Sequence, residues 1–162
     1  MEEQSSGPSG TETCGCWTGK VGVWLPLIRV LVVEDFVAFR EFICKTLAKL
    51  PALQVICEVS DGLEAVRKAE ELKPDLILLD VGLPSLNGIA VARQVRKLAP
   101  DAKIIFVTQE SSADVVQEAL RSGAQGYVVK TRAAIDLLTA VEAVLEGRQF
   151  VGSGLQITSG SV

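Results

Sequence analysis

Five polar residues stand where apolar runs end, and together their types suit phosphoryl chemistry. Glu34 and Asp35 follow Val30-Leu31-Val32-Val33, and Asp80 follows Leu76-Ile77-Leu78-Leu79. Thr108 follows Ile104-Ile105-Phe106-Val107, and Lys130 follows Val128-Val129. Three carboxylates brought together repel one another and raise each other's pKa. A hard divalent cation such as Mg²⁺ relieves that repulsion, being held by one or two carboxylates, waters and a phosphate. A lysine is a point charge that binds a phosphoryl oxygen, and a threonine hydroxyl can donate to the same group. The set suits a carboxylate nucleophile that forms an acyl phosphate. Taken singly, each residue has an ordinary explanation. Glu34-Asp35 would favour a following helix N-terminus, Asp80 would open a loop, Thr108 would be a strand residue and Lys130 a solvated loop lysine. Joint placement, with one group or pair at each of four strand ends, favours the chemical reading.

The elements that must position them follow from periodicity. Continuous β-branched and apolar runs predict strands over 28–33, 53–59, 75–80, 103–108 and 125–129, of the kind buried on both faces. Helical spacing fills the gaps. Phe39, Ile43, Leu47 and Leu50 form a stripe in a helix over 36–50. Asp61 caps the next helix, with Ala65, Val66, Ala69 and Leu72 on one face, ending before Pro74. A third helix runs over 85–98, with Ile89, Ala92, Val95 and then Leu98 or Ala99 inward. Ser112 caps a fourth over 113–121. Thr131 caps the last, where Ala134, Leu137, Leu138, Val141, Val144 and Leu145 recur and Gly147 ends the helix. Five strands alternating with five helices imply right-handed crossovers and a parallel sheet covered on both faces. The expected fold is α/β, a flavodoxin-like doubly wound (βα)5 three-layer sandwich with sheet order 2-1-3-4-5. That order brings the first, third, fourth and fifth strand ends to one edge, where ligands bind in such sheets.

Composition limits the function classes. At 162 residues, 48% apolar and 22% charged, the chain suits one globular domain. A net charge of −4 argues against unaided nucleic-acid binding, which needs clustered Lys and Arg. The apolar run over 21–33 contains Pro26 and Arg29 and is too short to span a bilayer. Glu2 and Glu3 do not make the basic start of a secretory signal, so a cytoplasmic protein without membrane attachment is expected. Cys44 and Cys57 lie in apolar patterns and read as small core residues. Cys14-Gly15-Cys16 has no histidine or second pair with it and falls short of a zinc or redox motif. Residues 1–27, rich in Ser, Gly and Thr, are expected to be a flexible N-terminal extension. Residues 28–148 form the domain, and 149–162 a C-terminal tail or linker.

Four segments resemble the receiver domain of two-component response regulators: Val30-Leu31-Val32-Val33-Glu34-Asp35; Asp75 to Gly88 with Leu83-Pro84 and Asn87-Gly88; Ile105-Phe106-Val107-Thr108; and Gly123-Ala124-Gln125-Gly126-Tyr127-Val128-Val129-Lys130. The resemblance covers 28 to about 148. It implies that Asp80 is the phosphoacceptor, charged by a sensor histidine kinase or phosphotransfer protein. Asp35 and Asp80 would hold Mg²⁺ directly, Glu34 through water, and the Gly82 backbone carbonyl would be a further ligand. Thr108 and Lys130 would bind phosphoryl oxygens. Thr108 and Tyr127 would be the switch pair, changing the surface of the fourth helix, fifth strand and fifth helix that meets a partner or a second copy in a homodimer. Asp114, Gln117, Arg121 and Arg132 fall on that surface by helical phase. The chain would be no enzyme beyond assisting its own phosphorylation and dephosphorylation.

Three positions depart from the family pattern. Gln109 replaces the usual small residue, which narrows the path to the phosphate. Thr131 replaces a common proline, which makes a cis bond there costly by about 3 kcal/mol. Gly82 has no side chain to address water, which makes Glu110 the candidate modulator of dephosphorylation. Gly82 also argues against an aspartyl-phosphate phosphatase, which needs a general acid two residues past its nucleophile. Receivers that precede a LuxR-type helix-turn-helix resemble this chain in the stretch through Lys130 and in Glu146-Gly147-Arg148-Gln149-Phe150-Val151. The alternative reading is therefore the N-terminal regulatory fragment of a DNA-binding transcriptional regulator whose output domain is not among these residues.

Overall fold

The computed structural model describes residues 15–18, 23–152 and 154–155. Two strands, β1 (Gly15–Thr18) and β2 (Val23–Pro26), pair antiparallel, with Trp17 opposite Trp24. No element is expected from the sequence before residue 28. The signal lies in two short β-prone runs, Cys16-Trp17-Thr18 and Val23-Trp24-Leu25, on either side of a glycine-containing stretch. Apart from Leu27, the rest of the expected extension, Cys14 included, lies outside the described residues.

The main sheet contains β3 (Ile28–Val33), β4 (Leu53–Val59), β5 (Leu76–Leu79), β6 (Lys103–Thr108), β7 (Gly126–Val129) and β8 (Phe150–Val151). Its order is β4-β3-β5-β6-β7-β8, all parallel, which is the expected 2-1-3-4-5 with one strand added. The helices are α1 (Val37–Leu47), α2 (Gly62–Leu72), α3 (Gly88–Leu98), α4 (Ala113–Arg121) and α5 (Ala133–Leu145). Because side chains alternate along a strand, each apolar run feeds two cores. Leu31, Val33, Ile77, Leu79, Ile104, Phe106 and Tyr127 face α2, α3 and α4. Val30, Val32, Leu76, Leu78, Ile105, Val107 and Val128 face α1 and α5. Removing so much apolar area from water fixes the strand register, since a one-residue slip would exchange the two sets.

Several boundaries differ from the sequence pattern for local reasons. Helix α1 ends at Leu47, and residues 48–50 form a turn. Helix α3 starts at Gly88 rather than Ser85, because the Asn87 side chain accepts from Ala90 N at 3.0 Å and caps there. Ser85 sits at φ 70, outside helical geometry. Asp61 and Ser112 cap α2 and α4 as expected, accepting from Glu64 N and Val115 N. Thr131 does not cap α5. Lys130–Arg132 form a 3₁₀ turn and the cap position falls to Arg132, with no side-chain cap bond. The phase of α5 shifts accordingly, with Ala133 buried and Ala134 exposed. No described peptide bond is cis, so the Lys130–Thr131 link is trans.

Within 149–162, expected as a C-terminal tail or linker, two residues form strand β8. Phe150 and Val151 pair with Gly126 and Tyr127. Two apolar residues among glycines and polar residues carry no readable period, so only the open edge of β7 decides that they form a strand.

Candidate functional site

All five chemically suggestive residues reach the carboxyl edge of the sheet. Glu34 follows β3 and is fully buried, while its neighbour Asp35 is exposed. Asp80 follows β5 and is 6% exposed. Thr108 ends β6 and is buried, and Lys130 follows β7. A cleft of about 250 Å³ opens above them, lined among others by Asp35, Asp80, Gly82, Thr108, Gln109 and Lys130.

Lys130 is the electrostatic centre. Its Nζ donates to Asp80 Oδ2 at 3.0 Å and to Glu34 Oε2 at 3.0 Å, and lies 2.9 Å from Glu34 Oε1. Burial alone would lower the lysine pKa, but the bonds to Glu34 and Asp80 outweigh it and hold the amine above its ordinary value. The Glu34 carboxyl is also held above its ordinary value, here against its charged form. Burial raises its pKa, the Lys130 bond and the Phe36 backbone N–H oppose the rise, and the charge of Asp80 adds to it. The Phe36 N–H reaches Glu34 Oε2 at 3.0 Å, so the carboxylate stands in for a side-chain cap at the start of α1.

Asp80 Oδ1 accepts only a long 3.3 Å bond from Gly82 N among the described contacts. It is the freer oxygen of the pair. Thr108 Oγ1 accepts from Glu110 N at 3.4 Å, which leaves the hydroxyl proton available for a ligand. Tyr127 is fully buried, and its hydroxyl donates to Glu110 O at 2.8 Å. Burial first, then the charges of Glu110 and Asp80, push the phenol above its ordinary pKa and keep it a donor. The ring lies in the inward position.

The residues fit a metal ion by two independent observations. One carboxylate oxygen from each of Glu34, Asp35 and Asp80 falls within 4.8 Å of the other two. Glu34 Oε1 is buried without a well-directed hydrogen bond, despite its closeness to Lys130. An all-oxygen set with water access favours a hard cation.

Four contributors to the site are not singled out by the sequence. The Phe39 ring lies 4.9 Å under the Lys130 amine, a cation–π contact from a residue that reads only as part of the α1 core stripe. Arg40 Nη1 donates to Glu34 O at 2.8 Å and fixes the turn after β3. Phe36, 63% exposed, and Val81 also line the cleft. Nothing in their types marks them, because their value comes from what the fold sets opposite them. The start of α3 lies so close that a Cβ on Gly88 would fall 2.0 Å from Asp80 O. Glycine there lets the helix approach the Asp80 backbone.

The family described as response regulator receiver domain matches residues 30–142. The response regulator GacA of Pseudomonas viridiflava is 34% identical over 125 residues, covering 77% of this chain and 58% of its own. The chemotaxis protein CheY of Listeria monocytogenes is 33% identical over 116 residues, covering 72% of this chain and 97% of its own. Among solved structures, a two-component response regulator of the LuxR family from Aurantimonas is 31% identical with a TM-score of 0.73, covering 76% of this chain and 89% of that one. The chain thus spans 58% of the length of the GacA relative. Among the described residues no helix is long and apolar enough to cross a membrane.

Proposed function

Because this chain belongs to the response regulator receiver domain family, we propose that it is a phosphorylation switch whose acceptor is Asp80. The observation that carries this reading is the convergence of three carboxylates from two βα turns, within 4.8 Å, on a lysine that already bonds Asp80. Asp35 and Asp80, with the Gly82 backbone carbonyl, would hold Mg²⁺ directly and Glu34 through water. When bound, that ion neutralises charge on the phosphoryl oxygens and on the carboxylates. The donor is a phosphohistidine of a sensor kinase or phosphotransfer protein. An Asp80 carboxylate oxygen, Oδ1 being the freer, forms the new P–O bond as the P–N bond to the donor imidazole breaks, with the electron pair returning to that ring. Lys130 and the Thr108 hydroxyl bind phosphoryl oxygens. The chain assists only its own phosphorylation and dephosphorylation and works in the cytoplasm.

Switching is a population shift. A phosphoryl group that draws in the Thr108 hydroxyl favours the inward Tyr127 and one arrangement of the 108–112 loop. The surface of α4, β7 and α5 changes with it and meets a partner or a second copy. Asp114, Arg121 and Arg132 are exposed there, and Gln117 is half-buried. The working domain is 28–148, with β8 attached. A second reading, control of a DNA-binding output domain, draws on the likeness to the LuxR-family regulator. With a net charge of −4, it predicts that this chain alone does not retard DNA in a gel.

The direct test is incubation with ³²P-acetyl phosphate and Mg²⁺. Wild type should incorporate one acid-stable, base-labile label, and Asp80→Asn none. Equal labelling of the two would mean that another residue is the nucleophile.

A further inference from the structure

Strand β8 sits beside the switch tyrosine itself. Phe150 N donates to Gln125 O at 3.0 Å and Gly152 N to Tyr127 O at 2.8 Å. Val151 is the register partner of Tyr127, and registered residues of parallel strands project to the same sheet face. Val151 and Leu155 both pack on the cluster that contains Tyr127, Phe106, Val116 and Ala119. Leu155 is brought back by its N–H, which meets Gly152 O at 3.3 Å. Gly152 is buried, and a Cβ there would lie 3.3 Å from both Tyr127 O and Asp136 Oδ2.

The direction of the Tyr127 ring matters. Its hydroxyl is tied to Glu110 O, which follows β6, the inner neighbour of β7. On the outer side of β7 lies β8, whose Val151, with Leu155, packs on the cluster that contains the ring.

We infer that β8 (Phe150–Val151), with Gly152 and Leu155, is an output lever: a ring that swings outward and the seated strand compete for one space, so the strand seats while Tyr127 is inward and lifts when it swings out. Its trigger rests on the phosphoacceptor reading, whereas the coupling between Tyr127 and β8 is argued from their register and shared packing. Because coupling is reciprocal, whatever is joined to or bound at this segment feels the state of Asp80, and in turn biases it.

The experiment uses the full chain with 3-fluorotyrosine. Tyr127 is the single tyrosine, so one ¹⁹F signal reports its position. Without any phosphoryl analogue, Gly152→Val should unseat β8. Amide exchange at Phe150 should accelerate about fivefold or more, and a second, outward ¹⁹F signal should grow, while the α1 amides keep their wild-type protection. Faster exchange at Phe150 with the ¹⁹F signal unmoved would overturn the inference. In the second arm, beryllofluoride with Mg²⁺ should slow exchange at Phe150 and Gly152 in wild type and not in Asp80→Asn. A ¹⁹F signal that responds to beryllofluoride while these amides do not would also overturn the lever and leave the phosphoacceptor reading standing. A ¹⁹F signal and amides that ignore beryllofluoride would remove the trigger, and the first arm would still decide the coupling.

Discussion

Replacing Lys130 by methionine leaves an unbranched side chain one atom shorter and removes the charge that two buried carboxylates share. Its Nζ lies 3.0 Å from Asp80 Oδ2 and 2.9 Å from Glu34 Oε1, and the side chain is 11% exposed. At an effective dielectric of about 20, a contact of this length has a Coulomb energy of roughly 5 kcal/mol. Desolvation of the amine offsets part of that, and removing one partner of a buried pair costs about 3–5 kcal/mol overall. The variant has one relief. Glu34 already has a pKa raised above 4.5 by burial, and losing the Lys130 bond raises it further. A carboxyl whose folded pKa is raised contributes stability that is fully present below the unfolded pKa and lost as pH rises through the folded one. Lys130→Met should therefore lose about 3 kcal/mol at pH 7.5 and much less near pH 5, as Glu34 takes up a proton. Saturating Mg²⁺ should restore more stability to the variant than it adds to wild type, because the ion replaces the missing cation. Urea unfolding followed by tryptophan-independent far-UV circular dichroism, at both pH values with and without Mg²⁺, measures all of this. A variant as stable as wild type at pH 7.5 without Mg²⁺ would refute the claim that Lys130 neutralises a buried acidic pair.

Other expectations follow from single contacts. Gly88→Ala drives a Cβ to within 2.0 Å of Asp80 O, so α3 must shift. The expected loss is about 2 kcal/mol or more in urea unfolding, with slower labelling by acetyl phosphate. Gly82→Ala meets nothing within 4 Å, keeps the backbone carbonyl, and should stay within about 0.5 kcal/mol of wild type in the same assay. Glu110→Ala removes an exposed carboxylate from the cleft while the Glu110 carbonyl still accepts from Tyr127. It should lengthen the lifetime of phosphorylated Asp80 several-fold, read as loss of label after removal of the donor, and an unaltered decay would discharge Glu110 from that role. Burial, then the charge of Glu58, push the Cys44 thiol up to about 11. At pH 8 about one such thiol in a thousand is ionised, so iodoacetamide should label Cys44 slowly in the folded chain, with a rate that climbs until pH 11.

The sequence by itself determined the alternation of strands and helices, because unbroken apolar runs such as Ile104–Val107 fit only an element buried on both faces. It also determined which polar residues end those runs, since Asp80, Thr108 and Lys130 are the first polar groups after each one, and the caps at Asp61 and Ser112, where the bond partner is three residues away. Tertiary structure decided what those residues meet. Lys130 bonds Glu34 across 96 residues of chain, and no local pattern encodes that separation. The Phe39 ring gains its role only because α1 places it under the amine of Lys130, which follows β7, and α5 starts late because Lys130–Arg132 form a 3₁₀ turn before the helix begins. Strand β8 is the clearest case. Two residues have too little propensity or period to declare themselves, and they become a strand because the open hydrogen-bonding edge of β7 and the apolar surface around Tyr127 are there to receive them. Local interactions are written in the order of residues, while long-range ones exist only after chain entropy has been overcome by the packing of the whole sheet.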